Sequence, residues 1–155
     1  MLQAGDRAPN FKLASDSAGD VSSSTLAGAR YVLFCYPKDD TPGCTAEACG
    51  FRDRRAEFAA LRVAVFGVSA DPIAAHERFA RKFQLNFPLL ADPEHLLLEP
   101  LGVWIEKNMY GRKYFGVQRA TFVVGADGRI EQAWPKVKVP RHVEAVLDFV
   151  AGKTE

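Results

Sequence analysis

The stretch RYVLFCYPKDDTPGCTAEACG, residues 30–50, decides the fold class and raises the functional question. Its first seven residues form a near-continuous run of β-branched and aromatic side chains, which is typical of a strand buried on both faces. A helix is predicted from about Thr41 to Leu61, because Pro42 suits a first helical turn, where its missing N–H has no partner to lose. The stretch therefore predicts a buried strand that leads through a short turn into a helix.

The rest of the chain continues this alternation of strands and helices. The later predicted elements are a buried strand (62–70), a helix (Asp71 to about Leu85), a third strand (87–92), a short helix or turn (93–102), strand-rich sequence (113–139) and a closing helix (about Pro140 to Ala151). Asp127-Gly128 within the strand-rich sequence is a strong hairpin signal. This order predicts an α/β protein with a central mixed β-sheet flanked by helices.

The composition restricts the possible classes of function. The chain has 155 residues, 48% hydrophobic and 25% charged, which predicts one globular domain over 1–155. A formal net charge of +1 gives no field that would gather nucleic acid or an anionic membrane. There is no run of eighteen apolar residues, and the first twenty residues lack the pattern of a signal peptide. The expected location is cytoplasmic, where thiols are kept reduced.

Two of the three cysteines, Cys44 and Cys49, lie in the predicted helix. On a helical wheel Cys44 falls on the apolar stripe, together with an unexplained Arg55, and Cys49 falls about 140° away. Their Cα atoms would be about 8–9 Å apart in an intact helix, whereas a disulfide needs less than about 7 Å. The pair can bridge only if this part of the helix unwinds, so a disulfide here would be a step in a cycle.

The turn before Cys44 favours a reactive thiol over an inert one. A helix N-terminus carries unpaired N–H groups and the positive end of the helix dipole, which stabilise anions. Cys44 is therefore a candidate thiolate nucleophile. Thr41 can turn its hydroxyl toward the thiolate and toward whatever the thiolate attacks, while Pro37 and Pro42 stiffen the approach.

Two simpler interpretations of the cysteines compete with this one. They could be ordinary small buried residues, as cysteine often is. They could also bind zinc, but zinc sites usually have a second ligand pair at close spacing. The three histidines, His76, His95 and His142, do not have that spacing and are expected to be structural or solvent-facing.

These residues resemble a known family. PKDDTPGCT fits the P-x-x-x-T-x-x-C pattern of peroxiredoxins, with Pro37, Thr41 and Cys44 in the motif positions. CTAEACGFRD resembles the PrxQ branch, or bacterioferritin comigratory protein, whose resolving cysteine lies five residues further on, here Cys49. GDRAPNFKL (5–13) resembles the opening strand of the family and MYGRKYFGVQRATFVV (109–124) its late strand segment.

The resemblance implies a thioredoxin-like fold with an N-terminal extension and assigns a role to Arg119. A lone strand arginine is usually a solvated surface residue, but the family would place this guanidinium beside the thiolate and the substrate oxygen. Glu47, one turn after Cys44, could hold Arg119 or cap the helix; a solvated carboxylate is the alternative interpretation.

The resemblance also implies a mechanism. Cys44 would attack hydrogen peroxide or an organic hydroperoxide and become a sulfenic acid. Arg119, the Thr41 hydroxyl and the backbone N–H groups of Gly43 and Cys44 would bind the substrate, and Pro37 would exclude water. Cys49 would then form an intramolecular disulfide, which a thioredoxin-like dithiol reduces. No metal or organic cofactor is implied, and a monomer is favoured.

Several alternatives stay open at this point. A catalytically idle thioredoxin-like binding or holdase module would have little need of the whole motif, and a thiol–disulfide oxidoreductase is disfavoured because no C-x-x-C is present. A one-cysteine peroxidase with an external thiol would leave Cys49 a bystander. Cys35 is expected to be buried and inert rather than a second resolving cysteine. Trp104 and Trp134 are expected to pack, with Trp104 a candidate for the border of the active site.

Overall fold

A computed structural model describes residues 1–153, in which a five-stranded sheet is covered on both faces. The strands and helices are, in chain order, β1 (Lys12–Ala14), β2 (Asp20–Ser22), α1 (Ser23–Leu26), β3 (Arg30–Cys35), α2 (Pro42–Asp53), α3 (Arg55–Ala60), β4 (Val63–Ser69), α4 (Ile73–Phe83), β5 (Leu89–Ala91), α5 (Leu98–Leu101), β6 (Trp104–Met109), β7 (Arg112–Val117), β8 (Ala120–Val124), β9 (Ile130–Trp134) and α6 (His142–Val150). None of the helices in this described part is long and apolar enough to cross a membrane.

The central sheet has the order β5-β4-β3-β8-β9 and is mixed. Strands β3, β4 and β5 are parallel, so each link between them needs a crossover, which α2 with α3 and then α4 provide. Strands β8 and β9 complete the sheet as an antiparallel hairpin. Its loop holds Asp127 and Gly128, and Gly128 has φ +81°, a conformation that glycine adopts freely. The predicted mixed sheet and this hairpin are confirmed.

Strand β3 divides the core into two apolar clusters, one on each face of the sheet. Alternate side chains point to opposite faces. Tyr31, Leu33 and Cys35 join the cluster under α5 and the β1–β2 hairpin. Phe34 and its alternating neighbours join the cluster under α2, α3, α4 and α6, which also contains Cys44. Cys35 and Cys44 therefore lie on opposite faces of the sheet.

The predicted single helix over residues 41–61 is wrong in one respect. It breaks at Arg54 (φ −107°, ψ 9°), whose N–H bonds to the carbonyl of Phe51 three residues back, so the chain makes a tight turn there. The apolar stripe nevertheless continues past this turn, because Phe58 of α3 is completely buried in the same cluster as Ala48 and Phe51 of α2. Arg55 itself is half-buried, and its Nε has no hydrogen-bond partner among the described residues.

The predicted strand segments at 109–124 and 5–13 are each shorter than expected. The first divides into the end of a β6–β7 hairpin, turned by Tyr110 (φ 54°) and Gly111 (φ 79°), and β8 in the central sheet. Tyrosine in the first turn position hides a hairpin that Asn-Gly would have signalled. In the second segment only the residues from Lys12 onward are in a strand, and Arg7 forms an isolated bridge.

Candidate active site

The turn from β3 into α2 presents Cys44 at the start of a helix. Thr41 is the N-cap residue in extended conformation, and Pro42 is the first helical residue. The first intrahelical bond of this turn runs from the N–H of Thr45 to the carbonyl of Thr41 (2.8 Å). The N–H groups of Gly43 and Cys44 therefore have no partner within the helix. They make the positive end of the helix dipole available beside the sulfur.

Arg119 brings its guanidinium to Cys44 from the short link between β7 and β8. Its Nη2 lies 3.4 Å from Cys44 Sγ, and its Nη1 donates to Glu47 Oε1 at 2.8 Å. A Cβ on Gly43 would lie 3.0 Å from Nη2, so glycine gives the guanidinium room. Burial alone would lower the pKa of Arg119. Negative charge at Cys44 and Glu47 outweighs burial and raises the pKa above its ordinary value, so this cation stays charged.

Glu47 is completely buried one turn after Cys44 and holds Arg119 in place. Burial raises the pKa of Glu47 to about 7, and the charge and hydrogen bond of Arg119 oppose that rise. The interpretation of Glu47 as a solvated carboxylate is therefore wrong. Because one guanidinium binds both the sulfur and this carboxylate, the protonation of Glu47 affects the charge that Cys44 experiences.

The second oxygen of Glu47 faces His142 at the start of α6. Oε2 has no hydrogen-bond partner among the described residues and lies 4.0 Å from His142 Nε2. That nitrogen is 2.8 Å from Thr121 Oγ1, so it is already hydrogen-bonded. Burial, and then the charge of Arg119, lower the pKa of His142 to about 4. His142 is therefore neutral near pH 7 and does not form an ion pair with Glu47 there.

The structure places Thr41 differently from the simplest expectation. Its hydroxyl donates to the carbonyl of Lys38 at 2.8 Å, so its proton is not directed at Cys44. The oxygen keeps a lone pair that can accept a hydrogen bond. Pro37 is exposed at the start of the same loop, on the path from β3 to the helix.

Cys49 lies within the wound part of α2 and is half-buried. All three cysteines are free thiols. Because residues 42–53 are helical throughout, the Cα separation of about 8–9 Å expected for this spacing applies. The two sulfurs cannot bridge in this conformation.

Cys35 and Trp104 lie on the face of the sheet opposite Cys44, whereas Trp134 packs against the cluster that contains Cys44. Cys35 is completely buried on the other face, where burial, and then the charges of Glu47 and Asp92, raise its pKa. Trp104 packs against that same cluster and stacks on His95 at 3.6 Å between ring centroids. Trp134 meets His142 edge-on.

Two polar residues near the site, His142 and Lys107, had no predicted role there from sequence. Lys107 donates to the carbonyl of Val117, two residues before Arg119. Burial lowers the pKa of Lys107, the charge of Arg119 lowers it further, and the charge of Cys44 raises it. Both residues come from distant elements, and no local motif marks either of them.

Comparison with known proteins identifies the family. Residues 4–133 match the model of the AhpC/TSA family. The chain is 44% identical over 146 residues to the putative peroxiredoxin bcp of Coxiella burnetii, covering 94% of this chain and 97% of that protein. It is 42% identical over 154 residues to peroxiredoxin Bcp of Bacillus subtilis, covering 99% and 98%. The chain is a peroxiredoxin of the Bcp/PrxQ branch. Like other peroxiredoxins, it is a thiol-dependent peroxidase that uses a hydroperoxide and a thiol reductant.

Solved structures confirm the thioredoxin-like peroxiredoxin fold. A cysteine-to-serine mutant of PrxQ from Xylella fastidiosa superposes on this peroxiredoxin with a TM-score of 0.93 and 33% identity, covering 100% of this chain and 99% of that one. The bacterioferritin comigratory protein of Xanthomonas campestris, studied for alkyl peroxide reduction, gives a TM-score of 0.90 and 35% identity, covering 96% and 98%.

Proposed function

We propose that this peroxiredoxin reduces hydrogen peroxide and organic hydroperoxides with Cys44 as the nucleophile. The observation that carries the proposal is the 3.4 Å contact between Arg119 Nη2 and Cys44 Sγ at the first turn of α2. A fixed cation and free N–H groups converge there on one sulfur. Sulfur itself undergoes the redox change, so the reaction needs no metal or organic cofactor.

The first step transfers one oxygen atom from the peroxide to sulfur. The Cys44 thiolate attacks the terminal peroxide oxygen, an S–O bond forms, and the O–O bond breaks. Sulfur is oxidised to a sulfenic acid while the peroxide is reduced to an alkoxide or hydroxide, which takes up a proton and leaves as an alcohol or water. Arg119 and the N–H groups of Gly43 and Cys44 are fixed where negative charge moves, so they stabilise the transition state without reorganising.

Thr41 and Pro37 act on the substrate in this proposal. The Thr41 hydroxyl donates to Lys38, so its oxygen is oriented to accept a hydrogen bond from the O–H of the peroxide. That contact would hold the peroxide with its terminal oxygen toward the sulfur. Pro37 shapes the pocket and limits the access of water.

The second step forms a disulfide between Cys44 and Cys49. The first turns of α2 unwind, the thiolate of Cys49 attacks the sulfenic sulfur, and the departing hydroxide takes up a proton to leave as water. A thioredoxin-like dithiol then reduces the disulfide by thiol exchange. Both cysteines are in one helix, so the cycle can run in a monomer.

Alkyl hydroperoxides are included among the proposed substrates because of the comparison above. The relative from Xanthomonas campestris, 35% identical, has been described for alkyl peroxide reduction. Pro37 is exposed and Thr41 is half-buried, so an organic substituent on the peroxide would extend past these two residues toward solvent.

Cys49→Ser tests the two-step cycle. With one equivalent of peroxide, the wild-type protein should lose two thiols and two mass units, and Cys49→Ser should gain one oxygen on Cys44. Turnover with thioredoxin should then fall in the variant. Unchanged turnover would instead support a one-cysteine peroxidase with an external thiol. No reaction of the wild-type protein would support an idle binding module.

A further inference from the structure

A second buried polar network lies beside the site and includes His76 of α4. The His76 side chain is completely buried. Its Nδ1 lies 2.6 Å from Asp39 Oδ2, and its Nε2 lies 2.9 Å from the carbonyl oxygen of Leu90. A carbonyl oxygen can only accept, so Nε2 carries a proton, and a carboxylate at Nδ1 demands a second one. The geometry is that of an imidazolium held between two acceptors.

Asp39 is the point at which the loop before α2 is attached to the rest of the protein. Its carboxylate accepts from Tyr36 Oη (2.6 Å) as well as from His76, and its backbone N–H donates to Asp71 Oδ2 (2.9 Å). Asp71 in turn accepts from the hydroxyl of Ser69 at 2.6 Å. Hydrogen bonds already occupy the atoms that could have ligated a metal ion in this cluster.

The residues on either side of Asp39 have no comparable attachment. Pro37, Lys38 and Asp40 are exposed, and Asp40 has φ 58°, a left-handed conformation that is strained for a residue other than glycine. Asp40 forms an ion pair with Lys82 of α4, but both side chains are about half exposed or more, so this pair contributes little. The path of the loop therefore depends mainly on Asp39.

We propose that His76, acting as an imidazolium through Asp39, is a positioning residue for the peroxide pocket. It fixes the loop of residues 36–41, which contains Pro37 and Thr41, and keeps this loop in place while α2 unwinds and rewinds. This inference rests on the proposed function, because that function assigns Pro37 and Thr41 to the substrate.

The charged groups around His76 agree with this role. Asp39 faces it from the loop, Asp71 from the end of β4, and Tyr36 from the end of β3, with ring centroids 6.4 Å apart. Burial alone would lower the pKa of His76. The hydrogen bond and charge of Asp39, together with Leu90 and Asp71, raise the pKa by more than burial lowers it. The net direction is upward, which favours the charged ring.

The test compares two reactions of the same sulfur in His76→Phe. Reaction of Cys44 with peroxide needs an aligned substrate, whereas alkylation by iodoacetamide needs only an accessible thiolate. The peroxide rate should fall about tenfold or more, because misplacement of a substrate by about 1 Å can cost about a hundredfold. The alkylation rate should change much less. A parallel change in both rates, or no change, would overturn the inference.

Further variants keep the test decisive. Asp39→Asn keeps the size of the side chain but removes its charge, so it should show the same selective loss of the peroxide reaction. This variant replaces His76→Phe in the test if His76→Phe does not fold. Lys82→Ala breaks the exposed pair in the same loop, and Leu97→Ala destabilises the core on the opposite face; neither should change the ratio of the two rates.

Nitrogen NMR of the wild-type histidines near pH 7 should show both ring nitrogens of His76 protonated, and a neutral ring would overturn the inference. Failure of the wild-type protein to react with peroxide would instead refute the proposed function.

Discussion

Cys35 and Cys44 are equally inaccessible, but their surroundings differ. Their exposures are 0% and 1%, and they lie on opposite faces of the same sheet. Around Cys35 there are apolar side chains, and the nearby carboxylates oppose a thiolate. At Cys44 there are the guanidinium of Arg119 and the start of α2. Burial alone does not decide which cysteine reacts; the charges and donors arranged around the sulfur do.

Of the features that distinguish Cys44 from Cys35, the contact between Arg119 and Cys44 is expected to have the largest effect on the rate of oxidation. Arg119→Met removes both guanidinium bonds and should lower the rate of Cys44 oxidation by about a hundredfold or more, as loss of one fixed donor does elsewhere. Arg119→Lys keeps the charge but cannot bridge Cys44 and Glu47, so it should fall in between.

Stopped-flow measurement of thiol loss at several peroxide concentrations gives these rates. Arg129→Met, at an arginine on the β8–β9 loop whose Nη1 bonds the carbonyl of Gly5, is a matched control and should retain the wild-type rate. A wild-type rate in Arg119→Met would remove the proposed difference between the two cysteines.

Glu47 affects both cysteines, because its charge opposes a thiolate at Cys35 and its carboxylate binds the arginine beside Cys44. Its burial also leads us to expect that the stability of the protein depends on pH. Its pKa in the folded protein is about 7, above its value in the unfolded chain, so the folded state binds the proton more tightly. Stability therefore falls as pH rises, and between about pH 5 and 8 this group should remove about 2–3 kcal/mol from the free energy of unfolding. Glu47→Gln should lose that component.

Urea unfolding of the reduced protein across this pH range measures the effect as the difference between wild type and variant. His142, with its pKa lowered to about 4, acts in the opposite direction below about pH 6.5 and is common to both proteins. Glu57→Gln removes an exposed carboxylate and should follow the wild-type curve. Parallel curves for wild type and Glu47→Gln would show that Glu47 is ionised throughout.

Cys35→Ala is expected to have the smallest effect on activity. The substitution removes a buried sulfur on the face of the sheet opposite Cys44 and should cost about 1 kcal/mol of stability, with an unchanged rate of peroxide reduction. Thermal unfolding and the same stopped-flow assay check both parts. A slower second step in the variant would give Cys35 a role in resolution.

Local sequence was sufficient for the strand–turn–helix unit and for the position of Cys44 at its start. Arg119 came only from the family resemblance, since nothing in its own neighbourhood distinguishes it from a surface residue. The contacts of Glu47 with His142 and of Asp39 with His76 join elements far apart in the chain, so no local pattern predicts them. The break at Arg54 was missed because a tight turn between two helices leaves the helical pattern of apolar residues largely intact.

The most direct measurement maps oxidation in the reduced wild-type protein after less than one equivalent of hydrogen peroxide. Trypsin should place Cys35 in the peptide 31–38 and both Cys44 and Cys49 in the peptide 39–52, so mass analysis distinguishes the two faces of the sheet. The account predicts that peptide 39–52 loses two mass units through an internal disulfide while peptide 31–38 stays fully reduced. Oxidation of Cys35 before or together with Cys44 would contradict it.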